Sequence, residues 1–532
     1  MAKKYLCRHK ILGGIVSLKL CLLLFLHYRF NVLPIHKQQQ SSAVIEEELL
    51  IDRRRAPTWK KRLQWIQEEL PSYPLAEMLQ MKPQHKKLAC APLTEEIEFH
   101  NDYWQVARAG NLTYYLFGAY YDRRETVPRA PLVRLLVMVN ERGDEGATYP
   151  ITHCQLWFKT RNKPLIVPVH EHKVVWHWGK KPRLYYPTLM ACAVPVGEVP
   201  DMVSLVAQRC DRATNLLKVV YEPPTPEQQQ QQQHHQDGGN RRPRFVVCVK
   251  TMDFLYNDMS WRLIEWLELM RLLGADKVVL YNGPMHANMT RVLRDYMENG
   301  SGFVELRSLS LGRGEPNVPP HLHHFLLARD YLNRILNEMI PYNDCLYRNM
   351  YRYDYIGVFD IDEVIMPLGN VTNWADLIQL AHHVPDYMNR TSPTCSQWVS
   401  FCFRNVYYPR YEGRAKYFHQ LPAYFYMLQH VERTAQYCDR TLATKCLHST
   451  RYAIGLHNHL PLHWTEEACC APKSVPIQYA QMQHYREPDN KTWLLDPVLD
   501  DNIWRFQPQL QQNTLAKYKE LGFLPSANEN GS

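Results

Sequence analysis

The sequence has no paired Cys-x-x-Cys spacing, no continuous basic stripe and only one long apolar run. Each lack removes a class of protein. Without paired Cys-x-x-Cys, the fourteen cysteines do not spell a zinc ribbon or finger. The net charge is +9, but Lys, Arg, Asp and Glu are mixed along the body, so no surface stands out to grip nucleic acid. The apolar run, residues 11–26, is broken by Lys19 and is followed by His27-Tyr28-Arg29-Phe30 rather than a small-x-small cleavage context.

What is present points to the secretory pathway. Lys3, Lys4, Arg8 and Lys10 precede the apolar run. Lys19 costs about 2.5–3.5 kcal/mol on the insertion scale, and the Leu, Ile, Val and Phe residues of the run return slightly more. The expectation is a cytosolic tail (1–10), a transmembrane signal-anchor (11–30) and a luminal body, a single-pass type II protein. A cleaved signal peptide is the rival reading. Asn-x-Ser/Thr sequons start at Asn111, Asn288, Asn299, Asn370, Asn389, Asn490 and Asn530, and twelve of the fourteen cysteines lie beyond the run. An oxidising lumen would let them form up to six disulfides.

With 532 residues, 45% of them hydrophobic, the chain can build two or three domains. Residues 31–85 have the composition of a stem with short helices, one of them near 59–70, and little core. Residues 86–222 carry short β-rich runs at 132–140, 154–158, 164–169, 173–178, 184–186, 203–208 and 217–221. These predict a sandwich-like β domain, with Cys154 and Cys192 placed to staple it. Residues 223–243 form a Pro-, Gln- and His-rich low-complexity linker. From 244 to 500 strands alternate with helices: strands at 245–250, 277–281, 303–306 and 355–359, helices at 260–273, 286–298 and 321–339. That alternation predicts an α/β domain with a largely parallel sheet covered on both faces. Residues 501–532 remain as a C-terminal tail.

The last of those strands runs into Asp360-Ile-Asp362-Glu363. On extended backbone residues i and i+2 point to one side, so Asp360 and Asp362 would share a face. Two such carboxylates repel unless a cation lies between them. A hard divalent ion, Mg2+ or Mn2+, prefers oxygen ligands and leaves positions open for phosphate. The C-terminal ends of strands are also where ligands gather in open α/β sheets. A site for a diphosphate-bearing substrate follows; the alternative is a solvated acidic turn.

Three ordered blocks resemble glycosyltransferase family 92. The first joins 247–250, 264–269 and 273–282. The second joins Asn343-Asp-Cys-Leu-Tyr-Arg348 to 355–367. The third holds Gly455-Leu-His457 and His484-Tyr-Arg486. A fragment at 118–123 looks like the family's β-rich N-terminal part. The resemblance implies a GT-A-like nucleotide-binding catalytic domain, a Golgi enzyme and an inverting mechanism. It also implies a UDP-sugar donor, UDP-galactose, whose galactose passes in β-linkage to fucose or galactose on glycoprotein or glycolipid glycans.

On that basis Asp362 is the foremost metal ligand and Asp360 a second, acting directly or through water. Glu363 either tightens the site or caps the turn. His457 and His484 are candidate further ligands, with His459 and His463 close enough in sequence to confuse the first. Arg486 is a candidate partner for the pyrophosphate, or a surface ion pair. Lys250 and Asn282, at strand ends, are candidate uridine contacts. Tyr281 is a candidate stacking residue or core; Glu265 would reach the nucleotide only if its helix starts at the site, and Trp266 is packing. Asp439, Glu466 and Glu467 are possible bases for the acceptor hydroxyl, and the aromatic segment 407–426 is a possible acceptor cleft or ordinary core. Two rivals remain: a non-catalytic luminal glycan-binding scaffold, and a haloacid-dehalogenase-like phosphatase, whose motif resembles 358–364 but normally opens its domain.

Overall fold

The computed structural model describes residues 58–141, 149–177, 184–224, 241–312, 319–384, 397–410, 421–422, 424–465 and 471–524. The expected anchor, most of the linker, Glu466 and Glu467 lie outside them. Among the described residues no helix is long and apolar enough to cross a membrane. The chain divides into residues 1–62 and 63–532, and of the first only 58–62 are described. The helix expected near 59–70 spans Trp59–Glu69 and has no buried residue.

In the second unit nine strands make one sheet: β1 (Phe99–Asn101), β2 (Trp104–Ala109), β3 (Leu112–Asp122), β4 (Leu132–Val139), β5 (His153–Trp157), β6 (Leu165–Val174), β7 (Tyr186–Ala193), β8 (Met202–Val206) and β9 (Leu217–Val220). Their order is β1-β2-β3-β4-β7-β6-β5-β8-β9, and β9 pairs back onto β3. The sandwich expected from strand spacing is therefore corrected to a closed ring of seven strands. A register slip between Leu116 and Gly118 lets β3 serve two partners on one edge. Its first half pairs with β2, and Ala119 and Tyr120 pair with β9. Closure leaves few edges exposed. The runs at 164–169 and 173–178 fuse into β6. Cys154 and Cys192 are disulfide-bonded, as expected. Tyr73 and Met81, in the expected stem, are buried against Trp157, Met202 and Leu216 of this ring.

The second large sheet takes β10 (Phe245–Phe254), β11 (Lys277–Met285), β12 (Val304–Ser308) and β13 (Tyr355–Val358), with β14 (Glu363–Pro367) in a separate small sheet. The order β12-β11-β10-β13 is parallel throughout. The sheet then turns antiparallel through β18 (Lys445–Ser449), which follows β15 (Ser400–Phe403), β16 (Asn405–Tyr407) and β17 (Glu432–Thr434) in the chain. It is mixed, more so than the alternation predicted, because from 400 to 499 strands follow one another with no α-helix between them among the described residues. Later come β19 (Ala453–Leu456), β20 (Pro461–Trp464), β21 (Lys473–Ser474), β22 (Ala480–His484) and β23 (Pro497–Leu499).

Helix α1 (Ser260–Leu273) stops at Gly274, whose φ of 103° is the left-handed cap that glycine adopts freely. Helix α2 is Ala287–Asn299. The long helix expected at 321–339 is two helices, α3 (Pro320–Arg329) and α4 (Tyr331–Asn349). They break at Asp330, whose side chain accepts from the Asn333 amide as an N-cap. α5 is Trp374–His383 and α6 is Gln507–Glu520. The residues expected as a tail thus include α6, whose Leu510 and Tyr518 are fully buried in the core with α1.

Helix α4 is packed between the ring and the sheet: Leu336, Met339 and Ile340 share one core with Trp104 and Tyr120 of the ring and Val246 and Tyr281 of the sheet. Asp344 accepts from the hydroxyls of both Tyr120 and Tyr281 and pairs with Arg348 at 2.8 Å. A disulfide, Cys248–Cys345, ties α4 to β10. The ring thereby fixes a helix that borders the site.

Candidate active site

The parallel order β12-β11-β10-β13 places the first strand beside the fourth, with crossovers leaving in opposite directions. A crevice opens at such a switch point, beyond the strands' C-terminal ends. A cavity of about 310 Å³ lies there, lined by Lys250, Asp253, Arg334, Asn337, Glu338, Asp360 and Asp362 among others. Its volume is within the range of small-molecule sites.

Two backbone irregularities aim the charged groups. The β10–β11 register slips between Val249 and Thr251, so Lys250 stands as the extra residue of a bulge, a device that redirects a side chain. β13 ends at Val358, paired with Cys248, and the chain then turns. Gly357 permits the turn's approach: a Cβ there would meet the Phe359 ring at 2.5 Å. The turn is closed twice, by Glu363 N donating to Asp360 O at 3.0 Å and by Asp360 N donating to Glu363 Oε2 at 2.8 Å.

Lys250 Nζ lies 3.2 Å from Asp360 Oδ2 and 3.5 Å from Glu338 Oε1. Burial alone would raise the Asp360 carboxyl, but Lys250 and then Lys445 hold it down at about 2. Glu363 is nearly inaccessible and is clamped by the wholly buried Lys445 at 2.8 Å. Burial, resisted by Lys445, pushes its carboxyl above the ordinary range. Glu363 thus closes the turn and is not among the residues that line the cavity.

His484 arrives from β22, whose register pairs it with Glu363 of β14. Its Nε2 is 3.6 Å from Asp362 Oδ2 and 3.8 Å from Glu363 Oε1, its ring stacks on Tyr407, and Nδ1 has no hydrogen-bond partner among the described residues. Among the described residues no group of three or more His, Cys, Asp or Glu side chains is arranged to hold a metal. Asp362 and His484 nevertheless offer one carboxylate oxygen and one imidazole nitrogen, donor types that Mn2+ accepts. They fit an ion that takes its other ligands from phosphate and water.

The other candidates divide. His457 packs on Trp176 and beside His459, and burial, then Lys445, lowers it to about 4; no contact joins it to the acidic pair. His463 bonds the carbonyl of Val174. Arg486 pairs with Asp489 at 3.1 Å and lies over Tyr407, the surface ion pair. Asn282 is exposed within β11, which runs on to Met285, and it does not line the cavity. Tyr281 is buried and bonded to Asp344, so core rather than a stacking platform. Glu265 is spent on the amides of Tyr426, Met427 and Leu428 at 2.7–3.0 Å, a local cap. Trp266 packs, and its indole donates to Glu363 O. Asp439 is exposed and outside the cavity. In the aromatic segment, Tyr408 and Phe425 are core, while 411–420 lie outside the described residues.

Arg334, Asn337 and Glu338 of α4, Asp253 of β10, and Lys445 were not singled out by sequence. The only available signal was that three of them fall on one helix face three and four residues apart. Asp360 follows the fourth strand, not the first, so it is not placed where the phosphatase alternative needs its nucleophile.

No curated protein matches the chain. A family model, glycosyltransferase family 92, matches residues 243–521, just over half of the sequence. That match begins two residues before β10 and ends one residue past α6, so it contains every residue that lines the cavity. With the acidic pair, Lys250 and His484 all inside it, the chain belongs to glycosyltransferase family 92.

Proposed function

We propose that this chain is an inverting, divalent-metal-dependent transferase of GT-A type. In this reading it moves galactose from UDP-galactose, in β-linkage, to fucose or galactose on glycoprotein or glycolipid glycans. The observation that carries the reading is the cavity at the strand switch point, where Asp362 faces open space beside the Lys250–Asp360 pair. Asp362 and His484 would hold Mn2+ or Mg2+. What such an ion supplies, when bound, is positive charge against the departing diphosphate. Lys250 adds fixed charge nearby, in a partly desolvated setting where it counts for more. Helix α4 walls the cavity and keeps water from one side of it.

The body would lie in the Golgi lumen behind a type II anchor at residues 11–30. Among the described residues, the disulfides Cys154–Cys192, Cys248–Cys345 and Cys402–Cys446 support an oxidising compartment.

The test is a UDP titration of the anchorless chain with and without Mn2+, followed by a screen of UDP-sugars against released glycans. Metal-dependent UDP binding and transfer from one donor support the reading. A folded chain that binds no UDP in either condition is a glycan-binding scaffold instead.

A further inference from the structure

We propose that Arg262 is an anion-binding residue of this site and that its ligand is the diphosphate of the nucleotide-sugar donor; the inference rests on the transferase reading above. Arg262 is the third residue of α1, three positions after Met259; Met259 lines the cavity, and Arg262 stands beside it without lining it. Its guanidinium lies over the Tyr426 ring, with Cζ 3.2 Å from the ring centroid. Tyr426 in turn donates its hydroxyl to Tyr485 O at 3.2 Å, and Tyr485 N donates to Asp362 O at 2.8 Å. Two hydrogen bonds therefore tie the shelf under Arg262 to the backbone of Asp362.

Arg262 makes no ion pair or hydrogen bond with any described residue. The carboxylates around it are already engaged. Glu265 accepts three backbone amides, Asp258 accepts from Ser260 N and Asn288 Nδ2, Asp360 holds Lys250, and Asp362 faces His484. A half-buried guanidinium with five donors and no acceptor is costly to keep. Burial pulls it below its ordinary value, against the opposing charges of Tyr426, Asp362 and Glu265. Its side chain is half-buried rather than sealed, so part of it meets solvent. A planar fork held on an aromatic shelf suits the oxygens of a phosphate, and Arg262 is preorganised for it.

One chemistry could come from two sources, the donor's diphosphate or an acidic group on the acceptor glycan. The experiment separates them by calorimetric titration of the whole anchorless chain with UDP and with uridine in Mn2+, and by kinetics on neutral and sialylated acceptors. Arg262→Ala should weaken UDP at least tenfold and leave uridine unchanged, and Arg262→Lys should recover part of the loss. Unchanged UDP affinity overturns the proposal. So does an equal loss for UDP and uridine, which marks a structural role. A raised KM confined to sialylated acceptors, with UDP unaffected, gives Arg262 to the acceptor and also overturns it. Should Arg262→Ala not fold, Arg262→Gln and Tyr426→Leu supply the same comparison. A wild-type chain that binds no UDP sinks the transferase reading itself, whereas wild-type binding with an indifferent variant sinks only Arg262.

Discussion

Lys250 Nζ and Asp360 Oδ2 meet at 3.2 Å across two neighbouring parallel strands that lie 110 residues apart in sequence. The pair sets the charge of the cavity floor before any ligand arrives. Lys250→Met strands a partly buried carboxylate. It should cost roughly 2–3 kcal/mol, less than a sealed pair because about a quarter of each side chain is accessible. The check is urea unfolding of Lys250→Met, Asp360→Asn and the double variant. The double variant should be less destabilised than the sum of the singles, and additivity would mean the contact carries no coupling.

Lys445 and Glu363 form the sealed counterpart at 2.8 Å, and Lys445 also donates to Asn458. Lys445→Met should cost about 3–5 kcal/mol, since it leaves a buried carboxylate without its cation. UDP affinity should fall with it, because Glu363 holds the Asp360 amide. Thermal unfolding and UDP titration of the same preparation read both effects.

Asp362 and His484 are the two metal donors of the proposed site. Asp362→Ala should abolish transfer and Mn2+-dependent UDP binding while leaving secretion of the anchorless chain intact. His484→Ala should lower apparent Mn2+ affinity by roughly 10–100-fold. Full activity of Asp362→Ala would reject the assignment. Manganese titrations monitored by transfer rate supply the measurement.

Acid should destabilise the chain in two stages. His448, sealed on β18, is held by burial and then Lys445 at about 3, far below its ordinary 6.5. Its depressed value means the unfolded chain takes a proton that the folded chain refuses. Stability is therefore present above 6.5 and lost as pH falls below it, by about 2 kcal/mol at pH 5 for this one group. Asp122 is the second stage. Burial would raise it, but Arg124 and Arg134 hold it well below 3.8, so its contribution is present above that value and disappears beneath it. His448→Leu should make the stability profile shallower between pH 7 and pH 5, the remaining slope coming from other histidines that burial holds low, His457 and His459 among them, and leave the lower stage unchanged. An unaltered slope would show that His448 does not titrate on unfolding.

Cys248–Cys345 joins β10 to α4, the two elements that flank the cavity, across 97 residues. Loop-closure entropy sets its value at roughly 4–5 kcal/mol. Cys248→Ser with Cys345→Ser should lower the denaturation midpoint and weaken UDP binding, whereas loss of Cys154–Cys192, inside the ring, should change stability alone.

Much of this was legible in the sequence where the controlling interactions are local. The helix over 260–273 follows from its apolar residues and Gly274, and the strand that delivers the acidic pair follows from the apolar run 355–359. Cys154 and Cys192 were placed because their β runs were visible. The 321–339 helix fuses two helices and stops short of Asn349, because the Asp330 cap interrupts it without breaking the apolar pattern. The ring's closure was missed because pairing β9 with β3 depends on a register slip at Phe117 that has no compositional mark.

By itself the sequence determined the alternating strands and helices from 245 to 306, the strand at 355–359 with Asp360 and Asp362 just beyond its end, and the family. All of these depend on neighbours within a few residues or on an ordered set of motifs. Only the tertiary structure decided that Lys250 neutralises Asp360, that Lys445 clamps Glu363, that His484 rather than His457 reaches Asp362, and that Arg262 stands unpaired on Tyr426. The reason is physical: electrostatic partnership falls off over a few ångströms of space, and the pairing of distant strands, not separation along the chain, sets those distances.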